Sequence, residues 1–196
     1  EGSHRISVFA VASTGDEVSD NVTVIIDLTP PSVTIVSPSN YSYFNVSSVT
    51  VYWSGSDENL DRYFVRLDCG DWVDVGLDTS YTFSNLKEGV HNVTVKALDK
   101  AGNSDVSIVF FTIDITSPSL QILSPQNKSY TNSSSVTIVW NGSDNCGIDH
   151  YEVRADDGSW IDVGSVTSHT FNLVDGNHTL YVRAVDVAGN VATSFI

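Results

Sequence analysis

The 196-residue chain carries nine Lys and Arg against 24 Asp and Glu, for a net charge of −15. That balance argues against nucleic acid and anionic lipid surfaces as partners and suits cation binding or plain solubility. No apolar run reaches the roughly 20 residues of a transmembrane helix, so no membrane span is expected in this stretch.

Residues 1–27 read as two strands joined by a Gly15-Asp16 turn. On the second strand Val22, Val24 and Ile26 take the inward face and Asn21 the outward one. Thr29-Pro30-Pro31 makes a stiff linker. Val33 and Ile35 open the next unit. Tyr41, Tyr43 and Phe44 then fall in a loop, where exposed aromatics suggest a contact with a neighbouring molecule. Val49, Val51 and Trp53 alternate with Thr50 and Tyr52, and Tyr63, Val65 and Leu67 alternate with Phe64 and Arg66. Gly70-Asp71-Trp72 turns into a short fourth strand ending at Gly76, and Tyr81 and Phe83 form a fifth. The sixth runs from Gly89 to Asp99 with Val93, Val95 and Ala97 inward, and closes in Ala101-Gly102-Asn103. Val109, Phe111 and Ile113 make the seventh. Alternation with period two, punctuated by Gly, Asn, Asp and Pro, predicts an all-β sandwich. No segment has a helical period.

After Thr116-Ser117-Pro118 the pattern returns, offset by about 87 residues, which marks an array of similar units. Ser37-Pro38 matches Ser124-Pro125, Trp53-Ser-Gly-Ser-Asp57 matches Trp140-Asn-Gly-Ser-Asp144, and Ala97-Leu-Asp99 matches Ala184-Val-Asp186. Three units follow: residues 1–27 as the last two strands of a preceding one, 32–114 as a complete one, and 119–196 as a second, cut off inside its last strand. His4, His91 and His178 recur at one repeat position. A residue that returns once per unit reads as a structural corner bonded to nearby backbone, and no nucleophile, phosphate loop or Cys/His cluster accompanies it. No catalytic residue is assigned, and the chain is expected not to be an enzyme.

Asp27-Leu-Thr-Pro-Pro-Ser32, Trp53-Ser-Gly-Ser-Asp57, Gly70-Asp-Trp72, Glu88-Gly-Val-His91 and Ala97-Leu-Asp-Lys-Ala-Gly-Asn103 resemble the recurring phrases of tandem immunoglobulin-like repeats of archaeal and bacterial cell-surface and secreted proteins. The resemblance covers the whole chain. It implies tandem seven-stranded immunoglobulin-like (fibronectin III-like) β-sandwiches, with a partial repeat at the N-terminus. Such repeats occur in adhesins, surface layers, filaments and stalks of secreted enzymes.

Eight Asn-x-Ser/Thr sequons, at Asn21, Asn40, Asn45, Asn92, Asn127, Asn132, Asn141 and Asn177, account for more than half of the chain's asparagines. They read as N-linked glycan sites on an extracellular protein, against the plainer reading that a Ser/Thr-rich composition produces them. Carboxylates also gather where one unit follows another. Asp27, Asp57, Asp61, Asp99 and Asn103 fall on one linker and two converging loops, and Asp114, Asp144, Asp149, Asp186 and Asn190 repeat them. Hard oxygen ligands so placed suit Ca²⁺; the alternative is that Asp and Asn are simply good turn residues. No other cofactor is required. Cys69 and Cys146 break the repeat, Cys146 within an Asn145-Cys-Gly147 insertion. Sandwich topology sends their loops to facing ends, which predicts a disulfide on the order of 4 kcal/mol in the chain-entropy model, or else two free thiols or bonds to other chains. Trp53 and Trp140 are core, while Trp72 and Trp160 lie over the sheet edge as candidate sugar platforms. The expected function is a glycosylated, rod-like component of a surface filament, surface layer or adhesin. Its partners are neighbouring units or copies of itself, joined by strand exchange at an open edge. The alternative is a non-catalytic spacer or carbohydrate-binding module of a larger secreted enzyme.

Overall fold

The computed structural model describes residues 1–196 and is all-β. Strands β1 (Gly2–Val11) and β2 (Glu17–Ile26) form a ten-residue antiparallel hairpin. Then come β3 (Ser32–Ser37), β4 (Ser42–Phe44), β5 (Val49–Ser56), β6 (Leu60–Leu67), β7 (Val73–Gly76), β8 (Ser80–Phe83), β9 (Gly89–Asp99) and β10 (Ser104–Ile113). The remaining strands are β11 (Ser119–Ser124), β12 (Ser135–Ser143), β13 (Ile148–Ala155), β14 (Ile161–Gly164), β15 (Ser168–Asn172), β16 (Leu180–Asp186) and β17 (Val191–Phe195). Beyond the hairpin, the sheets run β3-β5-β8 with β4-β10-β9-β6-β7, and β11-β12-β15 with β14-β13-β16-β17. A three-stranded sheet and a four-stranded one, the latter widened by β4 in the first copy, make an immunoglobulin-like sandwich when connected in this order. The chain divides into two compact units, Glu1–Ser39 with Thr50–Thr82 and Asn92–Val109, and Asn40–Val49 with Phe83–His91 and Phe110–Ile196.

The alternation read from sequence is the alternation of burial. Val93, Val95 and Ala97 on β9 are wholly buried, as are Val182 and Ala184 on β16. In the second unit Ile138, Trp140, Tyr151, Val153, Phe171, Leu180, Val182 and Ala184 form one core cluster. The Trp140 ring meets Tyr151 edge to face at 5.7 Å, and Trp53 meets Tyr63 in the same way at 5.9 Å. Gly142 is required by this packing: a Cβ there would lie 2.7 Å from Tyr151 Oη, and one at Gly55 would lie 2.7 Å from Tyr63 Oη.

Two local expectations are corrected. Val22, Val24 and Ile26 are exposed, because the hairpin has no second layer against it. Tyr43 and Phe44 are not loop residues: they belong to β4, which pairs parallel with Phe111–Ile113 of β10. Phe44 meets the Phe111 ring edge-on at 5.8 Å, and Tyr41 stacks on Phe110 at 6.0 Å. The aromatics are therefore partly used inside the fold.

Both Pro-containing linkers are held by a glutamate. Glu88 Oε1 accepts from the Ile115 N–H at 2.9 Å and from the Thr116 hydroxyl at 2.6 Å. One repeat earlier Glu1 Oε1 accepts from the Leu28 N–H at 3.3 Å and the Thr29 hydroxyl at 2.7 Å.

Candidate metal sites

The carboxylates the sequence gathers do converge, in two triads. One oxygen each from Asp27, Asp57 and Asp99 lies within 4.8 Å of the others, and so does one each from Asp114, Asp144 and Asp186. The first triad lies within the first compact unit and the second within the other. Asp27 follows β2 and Asp114 follows β10, each just ahead of a Pro-containing linker. Asp57 and Asp144 follow β5 and β12, and Asp99 and Asp186 end β9 and β16.

Turn hydrogen bonds place each member. Asp57 Oδ1 accepts from the Asn59 N–H at 2.7 Å, and Asp144 Oδ1 from the Cys146 N–H at 2.8 Å. Asp99 takes both the Asn103 main-chain N–H and its side-chain amide, each at 2.8 Å; Asp186 takes those of Asn190 at 2.8 and 2.9 Å. The same amides donate to the carbonyls of Asp27 and Asp114. Asn103 and Asn190 are thus braces that turn nitrogen toward the acids. Burial alone would raise the Asp99 carboxyl, but hydrogen bonds from Asn103, Gly102 and Ala101 outweigh it and hold its pKa below the ordinary value. Asp61 and Asp149 stand outside the triads. Asp61 pairs with Arg62 at 2.7 Å and Asp149 with His150 at 2.8 Å.

The triads differ in one atom's partner. Asn59 Nδ2 donates to Asp27 Oδ2 at 3.1 Å. Asp114 is fully buried, and its Oδ2 has no hydrogen-bond partner. Burial first, then Asp114, with smaller contributions from Asp144 and Asp186, push the Cys146 thiol up to about 11.

The predicted disulfide is not formed: Cys69 and Cys146 are both free. The Cys146 main-chain N–H is held by Asp144 Oδ1 at 2.8 Å. Cys69 is exposed in the turn between β6 and β7. The insertion is also smaller than the sequence suggested. Cys146 takes the N–H role of Asn59, bonding the aspartate two residues earlier, while Gly147, at φ +98°, takes its carbonyl role, accepting from Val187 N–H as Asn59 accepts from Lys100 N–H, so one residue is added.

The remaining singled-out residues serve the fold locally. His91 Nε2 bonds the Lys87 carbonyl at 2.8 Å and His178 Nε2 the Val174 carbonyl at 2.9 Å. The Arg66 guanidinium covers the Trp72 ring at 4.5 Å, and Arg154 and Arg183 cover Trp160 at 4.8 and 4.1 Å. Of the sequon asparagines, Asn21, Asn40, Asn45, Asn127, Asn132, Asn141 and Asn177 are exposed and Asn92 is half-buried.

Sandwich topology and this duplicated loop architecture define a tandem immunoglobulin-like protein. Comparison with known proteins agrees. The family described as bacterial Ig domain matches residues 118–182, and that described as glucodextranase domain B matches residues 31–116. The chain is similar to Bacillopeptidase F of Bacillus subtilis (strain 168), at 26% identity over 91% of the chain but only 13% of that protein's length. Among solved structures it is similar to the fibronectin(III)-like modules of Clostridium thermocellum CbhA, with TM-score 0.59, 16% identity, and coverage of 84% of this chain and 91% of the other. The chain is therefore built of immunoglobulin-like repeats of the kind found in bacterial proteins.

Proposed function

We propose that this chain is a non-catalytic structural stretch of an extracellular protein. In this reading residues 32–114 and 119–196 are successive immunoglobulin-like units of a filament, surface layer or adhesin, and residues 1–27 are the last two strands of a unit before them. Divalent cations at the triads stiffen the linkers between strand ends and loops. The observation that carries the reading is the recurrence of one triad, with the same braces, at the same repeat position. A substrate site occurs once, whereas a polar cluster repeated in each unit serves each unit's architecture. Three converging carboxylates on short loops suit calcium, which takes oxygen ligands at about 2.3–2.6 Å. Buried acids with no cationic partner also favour a bound cation.

Exposure of seven sequon asparagines supports a glycan coat. Association with like units, or with copies of the chain by strand exchange, fits an all-β surface with sheet edges. Calcium titration followed by thermal unfolding, beside an EDTA control, tests the reading. Calcium at ten times its dissociation constant stabilises by about 1.4 kcal/mol, or roughly 3–6 °C in a chain of this size. No shift at millimolar calcium would sink it.

A second reading is favoured by the likeness to Bacillopeptidase F: a spacer within a larger secreted enzyme. A catalytic signature elsewhere in the same polypeptide would decide for it. The sugar-platform form of this reading is disfavoured by the arginines that lie over Trp72 and Trp160.

A further inference from the structure

The two triads are built alike but are not filled alike. Both oxygens of Asp27 have donors: Oδ1 accepts from the Thr29 N–H at 3.1 Å and Oδ2 from the Asn59 side-chain amide at 3.1 Å. In Asp114 only Oδ1 has one, the Thr116 N–H at 3.2 Å, and the buried Oδ2 has no partner. A buried carboxylate oxygen left unpaired is costly, and it persists in folded proteins chiefly where something compensates it. Burial differs in the same sense. Asp114 and Asp186 are both buried and Asp144 half-buried, whereas in the first triad only Asp99 is buried and Asp27 and Asp57 are half-buried. The braces Asn103 and Asn190 are common to both copies and do not distinguish them.

We infer that Asp114, Asp144 and Asp186 form the primary site for a hard divalent cation of the calcium class, and that the Asn59 amide makes the Asp27 triad a secondary, weaker one. This rests on the reading of the triads as cation sites. The amide hydrogen carries partial positive charge and points at the carboxylate a cation would use, so Asn59 acts as an internal competitor in the first copy. In the second, the acids are already desolvated by folding, none of the three takes part in an ion pair, and one oxygen is left without a donor. Attraction between a cation and carboxylates strengthens as the surrounding dielectric falls, which favours the more buried set. Three carboxylates supply part of the six to eight oxygens calcium takes, and water supplies the rest. Asp144 also lines a surface groove of about 450 Å³ with Glu88, Thr116, Ser119 and Ser143, which gives a hydrated cation its way in.

Calorimetric titration of calcium into the full chain, stripped of metal and dialysed free of chelator, tests this. Two classes of site are expected, each of about one equivalent, with dissociation constants at least tenfold apart. Asp114→Asn keeps the side chain's size and removes its charge; it should abolish the tighter class and leave the weaker. Asp27→Asn should do the opposite. Asn59→Ala keeps the main-chain turn and removes the competing amide, so it should strengthen the weaker class at least threefold and leave the tighter one unchanged. That variant gains binding, so its result stands even where a carboxylate variant fails to fold; circular dichroism checks each. The inference is overturned if the two classes have equal affinity, if the tighter class is lost in Asp27→Asn, or if Asn59→Ala leaves the weaker class no tighter. Those outcomes leave the triads as cation sites of another ranking. No binding heat and no melting shift at millimolar calcium, by contrast, overturns the cation reading itself.

Discussion

Asn190 donates its side-chain amide to the main-chain carbonyl of Asp114 at 2.8 Å, joining residues 76 positions apart, and Asn103 repeats the bond to Asp27 across the same separation. The amide also reaches Oδ2 of Asp186 at 2.9 Å. Asn190→Ala therefore leaves a carbonyl and a buried carboxylate oxygen short of donors. The expected cost is about 1–3 kcal/mol, read as a fall in melting temperature in cation-free buffer. An unchanged melting temperature would show that solvent replaces the amide without loss.

Gly142 gives Tyr151 its room. A Cβ would meet Tyr151 Oη at 2.7 Å and the ring edge at 3.0 Å, and the ring is buried against Trp140. Gly142→Ala should destabilise by about 1–3 kcal/mol, the usual cost of overpacking. Adding Tyr151→Phe removes the closest atom and should restore part of the loss. Two substitutions whose effects simply add would contradict the steric account.

The pair of His178 and Asp156 predicts a pH dependence. Hydrogen bonding to Asp156 first, then to the Val174 carbonyl, raises the His178 pKa. Hydrogen bonding to His178 first, then to the Thr179 N–H, lowers that of Asp156. The histidine's contribution is fully present below its unfolded pKa of about 6.5, and is lost as pH rises through the raised folded value. The aspartate's is present above its unfolded pKa of about 3.9, and is lost as pH falls through the lowered one. Melting temperatures of His178→Gln and the native chain should differ most between those two unfolded values, and the gap should narrow on the alkaline side. A gap of constant size from pH 5 to pH 9 would refute the ionic part of the contact.

Trp160 lies against two guanidiniums, with Tyr181 edge-on at 6.3 Å. Trp160→Ala should cost about 1–2 kcal/mol through lost stacking and cation–π contact. It should leave no glycan-binding signal to lose. Binding on a glycan array that vanishes in Trp160→Ala while the melting temperature holds would reverse this assignment.

How much of this was legible in the sequence depends on the range of the interaction. The inward faces of β9 and β16 follow from local alternation, and Val95 and Val182 are wholly buried as that alternation requires. Burial of Val22 and Val24 did not follow, because a strand's pattern names a face and not the layer that covers it. The short β4 was invisible for a related reason: its partner Phe111 lies almost 70 residues away, and three residues carry no period. The triads were legible because the sandwich dictates which loops share an end. Asp61 and Asp149 were counted with them since spacing does not reveal that each side chain turns to a basic neighbour. Cys146 was placed in a three-residue insertion. The backbone bonds show that Cys146 and Gly147 together take the place of Asn59, the first its N–H and the second its carbonyl.

The glutamates that grip the linkers set a rule for what evolution or engineering can do to this array. Glu88 binds the backbone of Ile115 and the hydroxyl of Thr116 with a single oxygen, and Glu1 does the same at Leu28 and Thr29. A connection held at consecutive residues is part of the folded chain and has no slack of the kind a Gly/Ser tether offers. Inserting one residue between Asp114 and Thr116 would carry the hydroxyl out of reach and shift the backbone donor with it. The array is then free to lengthen only by whole repeats, each arriving with its own glutamate and its own threonine.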